Sequence, residues 1–166
     1  MAFRKVVIKP TQFEVEWEDT FEVLPWTGDR TEEIGHFLFS TGTKRFAECS
    51  DCRDGSAKSA NYYVARALEY MKDKPGRELG YAASSLVVAR ESGKLIAVCL
   101  CCGASVYHIE VHPDYQRRGI ATRMLQHALS VCAKRGVSEF HLWRHDGAAP
   151  AKLYEKIGFV DTDETE

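Results

Sequence analysis

The sequence predicts an α/β layered fold, a central sheet with helices on both faces, from three observations. Ser84 to Ala89 and Leu95 to Cys102 are two apolar runs joined by Arg90-Glu91-Ser92-Gly93-Lys94, the pattern of a β-hairpin. Tyr107 to Gly136 reads as a strand, a turn and a helix. Glu139 to Arg144 then reads as a strand, the Gly147 to Ile157 region as a helix, and Phe159-Val160 as the start of a last strand.

Taken in order, Arg4 to Lys9 is an opening strand that Pro10 ends. From Gln12 to Val23 apolar Phe13, Val15, Trp17, Phe21 and Val23 alternate with polar residues, the period of a half-buried strand. Asp29-Arg30-Thr31-Glu32 has capping-box spacing, and Ile34, Phe37 and Leu38 follow at helical intervals. Ser40 to Lys58 is polar and aperiodic, a loop. Asn61 to Lys72 carries Val64, Ala67, Leu68 and Met71 at the spacing of a second helix. Leu95 to Cys102 is apolar almost throughout, as expected of a strand covered on both faces. In the helix after Arg118, Ile120, Met124, Leu125, Ala128, Val131 and Cys132 share one face, and Gly136 suits the position just past its end.

At 166 residues the chain is expected to be one domain, residues 1–166, with residues 1–25 as a β-like extension. With 45% hydrophobic and 28% charged residues it has an ordinary globular composition, and a net charge of −2 argues against nucleic acid or an anionic membrane as partner. The longest early apolar run, Val6-Val7-Ile8, is far shorter than a signal-peptide core or a membrane span, so a cytoplasmic protein is expected. Cys99, Cys101 and Cys102 lie in an apolar run and read as buried reduced thiols. Cys49-Ser50-Asp51-Cys52 has zinc-knuckle spacing but no second ligand pair, so no metal is assigned there.

The stretch with chemical content is Gln116-Arg117-Arg118-Gly119-Ile120-Ala121-Thr122. A helix start has free N–H groups and a partial positive charge, and this one is entered through Gly119 with no acidic side chain nearby. Arg117 and Arg118 add formal charge, Gly119 lets a ligand approach the backbone, and Ala121 keeps the next turn slim. Neither Gly-x-x-x-x-Gly-Lys-Ser/Thr nor Gly-x-Gly-x-x-Gly is present, which disfavours a kinase or a dehydrogenase.

Val111-His112-Pro113-Asp114-Tyr115-Gln116-Arg117-Arg118-Gly119-Ile120-Ala121 resembles the acetyl-CoA signature of the GNAT superfamily of N-acetyltransferases, Gln/Arg-x-x-Gly-x-Gly/Ala. Leu153-Tyr154-Glu155-Lys156-Ile157-Gly158-Phe159 resembles a second motif of that family, and the resemblance covers roughly residues 86–160. It implies a mixed, mostly antiparallel central sheet with helices on both faces. It also implies acetyl transfer from acetyl-CoA to a primary amine by direct attack in a ternary complex. The acceptor is then a small-molecule or peptide amine, framed by the two early helices and the Ser40 to Lys58 loop, and a homodimer is compatible with the family. The β-like extension is not part of the family plan; it covers a sheet edge or pairs with a second subunit. The plan also has one more strand than this sequence supplies, since Asp161 to Glu166 reads as an acidic tail. Either the sheet ends one strand early, or the extension or a partner chain fills the gap.

The resemblance implies roles residue by residue. The amides of Gln116, Arg117, Arg118, Gly119, Ile120, Ala121 and Thr122 would hold the pyrophosphate. Ile109, Glu110 and Val111, where their strand splays from Glu139 to Arg144, would bind the pantetheine arm and polarise the thioester carbonyl. Tyr154 falls where family members place a general acid beside the sulfur, although Gly147 and Pro150 replace the Asn and Ala often found upstream of it. Strand alternation puts His108, Glu110 and His112 on one face, so Glu110, directly or through a water, or His108 could take the amine's proton. Two other readings stay open. One is a non-catalytic acyl-CoA-binding sensor of the same fold; the other is a metal-dependent enzyme using His108, Glu110 and His112. Glu14, Glu16, Glu18, Asp51 and Asp54 would favour a cationic acceptor if they line the cleft.

Overall fold

The computed structural model describes residues 3–41, 65, 79–145 and 151–165. The elements are β1 (Phe3–Ile8), β2 (Phe21–Pro25), α1 (Thr31–Thr41), β3 (Ser85–Ala89), β4 (Leu95–Cys102), β5 (Ser105–Val111), a 3-10 turn (Pro113–Tyr115), α2 (Ile120–Lys134), β6 (Phe140–His145), α3 (Ala151–Ile157) and β7 (Val160–Thr165). The strands form one seven-stranded sheet in the order β2-β3-β4-β5-β6-β1-β7, antiparallel throughout except between β5 and β6. The predicted mixed, mostly antiparallel α/β architecture is what forms.

The hairpin and the central strand follow their sequence pattern. Ser85↔Cys99, Leu86↔Val98 and Val87↔Ala97 set the β3–β4 register, and β4 is buried from Leu95 to Cys101. Its alternate side chains enter two cores. Val98 and Leu100 join Trp26, Ile34, Phe37, Leu38 and Leu86 on the α1 side. Ala97, Cys99 and Cys101 join Ile120, Met124, Leu125, Ala128 and Leu129 on the α2 side. A strand dry on both faces needs apolar residues at every position, hence the unbroken run. The thiols are free, and burial pushes Cys132 up to about 11, so among the described residues they serve as small packing groups.

Helix α2 ends as its glycine predicts. Gly136 adopts φ 71°, Val137 N–H donates to the Cys132 carbonyl and Gly136 N–H to that of Ala133, a Schellman closure. Helix α1 starts differently from the capping-box expectation. Asp29 Oδ1 accepts from Thr27, Arg30 takes φ 56° just before the helix, and Arg30 Nε pairs with Glu33 at 2.8 Å. The helix also runs on through Ser40 and Thr41, past the point where the sequence predicts a loop. Residues 42–58, with Cys49, Asp51, Cys52 and Asp54, lie outside the described residues, as does the predicted second helix over 61–72 apart from Ala65.

At the ends one expectation is corrected and one of the alternatives is the one that forms. Asp161 to Thr165 is not a tail but belongs to β7, whose charges are matched across the sheet. Arg144 grips Asp161 at 2.9 Å, and Lys5 reaches Glu164 at 3.1 Å. Charged side chains suit an edge strand, so the composition that suggested a tail equally serves a sheet border. The missing interior strand is supplied by the extension: β1 inserts between β6 and β7, pairing with β6 from Phe3↔His145 to Ile8↔Phe140.

That insertion explains the alternating stretch. From β1 the chain must return to β2 at the far edge, roughly 24 Å away at the usual strand spacing, which an extended connector of this length covers. The β-like reading of Gln12 to Val23 holds only from Phe21. Residues 9–18 have no regular structure and cross over α2, with Phe13 and Trp17 packed on the α2-side core and Glu14, Glu16 and Glu18 exposed. A helix offers no open backbone ladder, so the crossover bonds to side chains instead. Phe13 N–H donates to Ser130 Oγ at 2.8 Å, and Arg123 Nε donates to the Glu16 carbonyl at 2.8 Å.

Hydrogen bonds from Arg144 hold the Asp161 carboxyl below its ordinary value of 3.8. The unfolded chain therefore takes up this proton at higher pH than the folded one. The pair's contribution is complete above pH 3.8 and is lost as the pH falls through the folded-state value. Asp161→Asn should lower the melting temperature by about 1–3 °C at neutral pH, a small shift because the pair is half exposed. In melts between pH 7 and 2 the difference from wild type should shrink at the acid end; a constant difference would contradict the assignment.

Candidate functional site

The site is built where β5 leaves β6. Their parallel ladder comprises Ser105↔His141 and Val106↔Leu142, at the first residues of β5. Directly after it, the β4–β5 register passes from Cys101↔Val106 to Leu100↔His108, so Tyr107 is an extra residue in β5. Such a bulge bends its strand and sharpens its twist. From Tyr107 to Val111, β5 continues on β4 alone, as the predicted splay from Glu139 to Arg144 requires, and the ladder extends to His112 N–H on the Ile96 carbonyl.

The bulge leaves His108 and Glu110 on one face, as alternation predicted. They lie across from Leu100 and Val98, hence on the α1 side, with side chains 7% and 13% exposed and His108 Nε2 3.5 Å from Glu110 Oε2. Ile109 and Val111 turn the other way, onto the α2-side core. His112 does not complete a metal triplet. Its Nδ1 accepts from Asp114 N–H at 3.1 Å and caps the 3-10 turn. No three His, Cys, Asp or Glu residues among the described residues converge as a metal site, His108, Glu110 and His112 included.

After the turn the backbone forms a tight loop into α2. Gln116 folds back, its Nε2 donating to the Val111 carbonyl at 3.1 Å. Arg117 has φ 62° and Gly119 φ 77°, both left-handed. Arg117 accepts that conformation at some cost, whereas glycine carries none. Gly119 is the N-cap of α2 with no side-chain cap, and the first turn has no acidic residue. The amides of Ile120, Ala121 and Thr122 thus open α2 without a competing carboxylate, as an anion site needs. The Arg118 guanidinium is already engaged: it lies 5.5 Å from the ring centres of both Phe21 and Tyr115, and 3.1 Å from Glu18. Glu18 therefore faces this loop, and Glu16 gives its carbonyl to Arg123.

Tyr154 lies in α3, 8% exposed, edge-on to Phe159 at 5.9 Å and within the α2-side core. Its carbonyl closes α3 by accepting from Gly158 and Phe159. Glu110 and Tyr154 thus come from opposite sides of the sheet. Gly147 and Pro150 lie outside the described residues. Sequence reasoning missed Arg123 and the crossover. The available signal was an arginine four residues after Gly119, since helical side chains lean back toward the N-terminus.

Residues 82–161 match the sequence model of the acetyltransferase (GNAT) domain. An alanine N-acetyltransferase of ribosomal protein bS18 from Escherichia coli K12 is 42% identical over 59 residues, 34% of this chain and 38% of that protein. An acetyltransferase from Pectobacterium atrosepticum is 29% identical over 94 residues, 52% of this chain and 65% of that one. The chain therefore spans well under half of the bS18 acetyltransferase's length. Among solved structures, a GCN5-related N-acetyltransferase from Sphaerobacter thermophilus superposes with a TM-score of 0.64 at 18% identity, over 97% of this chain and 48% of that one. One from Ralstonia eutropha gives 0.57 at 18% identity, over 87% and 95%. Residues 82–161 thus match the GNAT acetyltransferase domain, and the chain has the fold of GCN5-related N-acetyltransferases.

Proposed function

We propose that the protein moves an acetyl group from acetyl-CoA to a primary amine by direct attack in a ternary complex. The observation that carries this reading is the left-handed Gly119 cap opening α2 without an acidic side chain, next to the strand that has parted from β6. The Arg123 guanidinium is bound to the Arg118 carbonyl and that of Arg118 to Glu18, and in this reading the backbone N–H groups meet the phosphate oxygens. A Cβ at Gly119 would stand 2.6 Å from Arg123 Nη1, so a side chain there displaces that guanidinium end and also strains a backbone at φ 77°.

In this reading the amides of residues 116–122 hold the pyrophosphate, and Ile109, Glu110 and Val111 run along the pantetheine. The amine's nitrogen forms a bond to the thioester carbonyl carbon, the carbon–sulfur bond breaks, and the thiolate leaves. An N–H of the Ile109 to Val111 stretch stabilises the oxyanion. Glu110 takes the amine's proton, with His108 beside it, and Tyr154 gives its phenolic proton to the thiolate. The E. coli relative is named for the alanine of a ribosomal protein, and a primary amine of that kind, on a peptide or a small molecule, is the acceptor class proposed here.

Calorimetric titration with acetyl-CoA and with free CoA tests the donor site. Wild type should bind both, and Gly119→Trp, checked for native circular dichroism, should bind neither; unchanged affinity in that variant would move the site elsewhere. Thiol release with an amine panel then separates an enzyme from an acyl-CoA sensor. Tyr154→Phe and Glu110→Gln should each retain donor affinity and lower kcat by about 100-fold. Wild-type turnover in either variant would remove that residue from its role.

A further inference from the structure

We infer that Arg123 is a positioning residue for the donor site: it fixes the orientation of the Arg118–Gly119 peptide and ties the N-terminal crossover to it. The inference rests on the proposed donor site and concerns how that site is held. Arg123 lies in the first turn of α2, and its side chain leans back past the helix start. Its Nη1 donates to the Arg118 carbonyl at 2.9 Å, and its Nε donates to the Glu16 carbonyl at 2.8 Å. In a trans peptide the carbonyl and the following N–H point in opposite directions. Holding the Arg118 carbonyl toward Arg123 therefore turns the Gly119 N–H away from the guanidinium, toward the open side of the loop. A Cβ at Gly119 would come within 2.6 Å of the same Nη1 and displace it.

Placed behind the loop, the guanidinium adds positive potential without occupying the ground a phosphate needs. It also makes the crossover part of the support. Glu16 is bound through its carbonyl by Arg123, while Glu18 pairs with Arg118 on the neighbouring loop residue. The N-terminal crossover thus braces the loop of the proposed donor site.

The test compares Arg123→Ala with Arg123→Lys and with Ser130→Ala. Ser130 makes another side-chain tie to the crossover, through Phe13 N–H at 2.8 Å and the Phe13 carbonyl at 3.3 Å, at the far end of the crossover from Arg118. Arg123→Ala should raise the KM and Kd for acetyl-CoA about tenfold, the net worth of one charge-assisted hydrogen bond, with kcat at saturating donor unchanged. It should also move the Gly119 amide resonance in the free protein. Arg123→Lys, which can reach one carbonyl, should recover part of the affinity, and Ser130→Ala should match wild type. Unchanged donor affinity in Arg123→Ala overturns the inference. Equal losses in Arg123→Ala and Ser130→Ala overturn it too, because seating of the crossover would then suffice. Absence of donor affinity in the wild type is a separate result: it removes the donor site, and the role of Arg123 with it.

Discussion

The structure turns on one ladder that stops. β5 and β6 share two pairs and then separate, while every other neighbouring pair of strands holds at least three. The bulge at Tyr107 is the local cause, since an extra residue in β5 changes its direction where the parallel pairing ends. Strands that part no longer share ladder hydrogen bonds, so the space between them is open to another chain or a ligand. Among the described residues, the shortest ladder of the sheet is thus followed along the chain by a helix start with no side-chain cap and no acidic residue in its first turn.

A strand that loses one neighbour must be held by the other. β6 gains its stability from β1, through six consecutive register positions from Phe3↔His145 to Ile8↔Phe140. Val6 is 2% exposed there, and Ile8 Cδ1 sits where a Cβ on Gly158 would come to 3.3 Å, so β1 also sets the close of α3. The position of the first strand in turn obliges the chain to cross the sheet to reach β2. The route over α2 brings Phe13, Trp17, Glu16 and Glu18 onto the helix that carries the candidate site. The extension is therefore a structural consequence of the splay as well as a neighbour of it.

What could be read from the sequence divides along physical range. The hairpin, the two-sided strand β4, the face of α2 and its glycine closure depend on neighbours within a few residues, and their signals were legible. The glycine loop was legible for the same reason, because a left-handed cap and a bare helix start are local properties. Strand order was not. Alternation at Gln12 to Val23 is the same whether an extended segment lies beside a strand or over a helix, and only the long return from β1 decides which. Asp161 to Thr165 read as a tail because its partners, Arg144 and Lys5, are distant in sequence. Asp29 had cap spacing but was drawn to Thr27 instead. His112 shared a strand face with Glu110 in the pattern, yet its ring caps a turn.

The central claim is that the donor is held by the α2 start and the parted stretch of β5. An amide-resolved NMR titration of the protein with free CoA tests it most directly. The largest shifts are expected at Arg117 to Thr122 and at Ile109 to Val111, with strand β2 and the start of α1 little changed. Shifts centred elsewhere, or none at saturating CoA, would contradict the account.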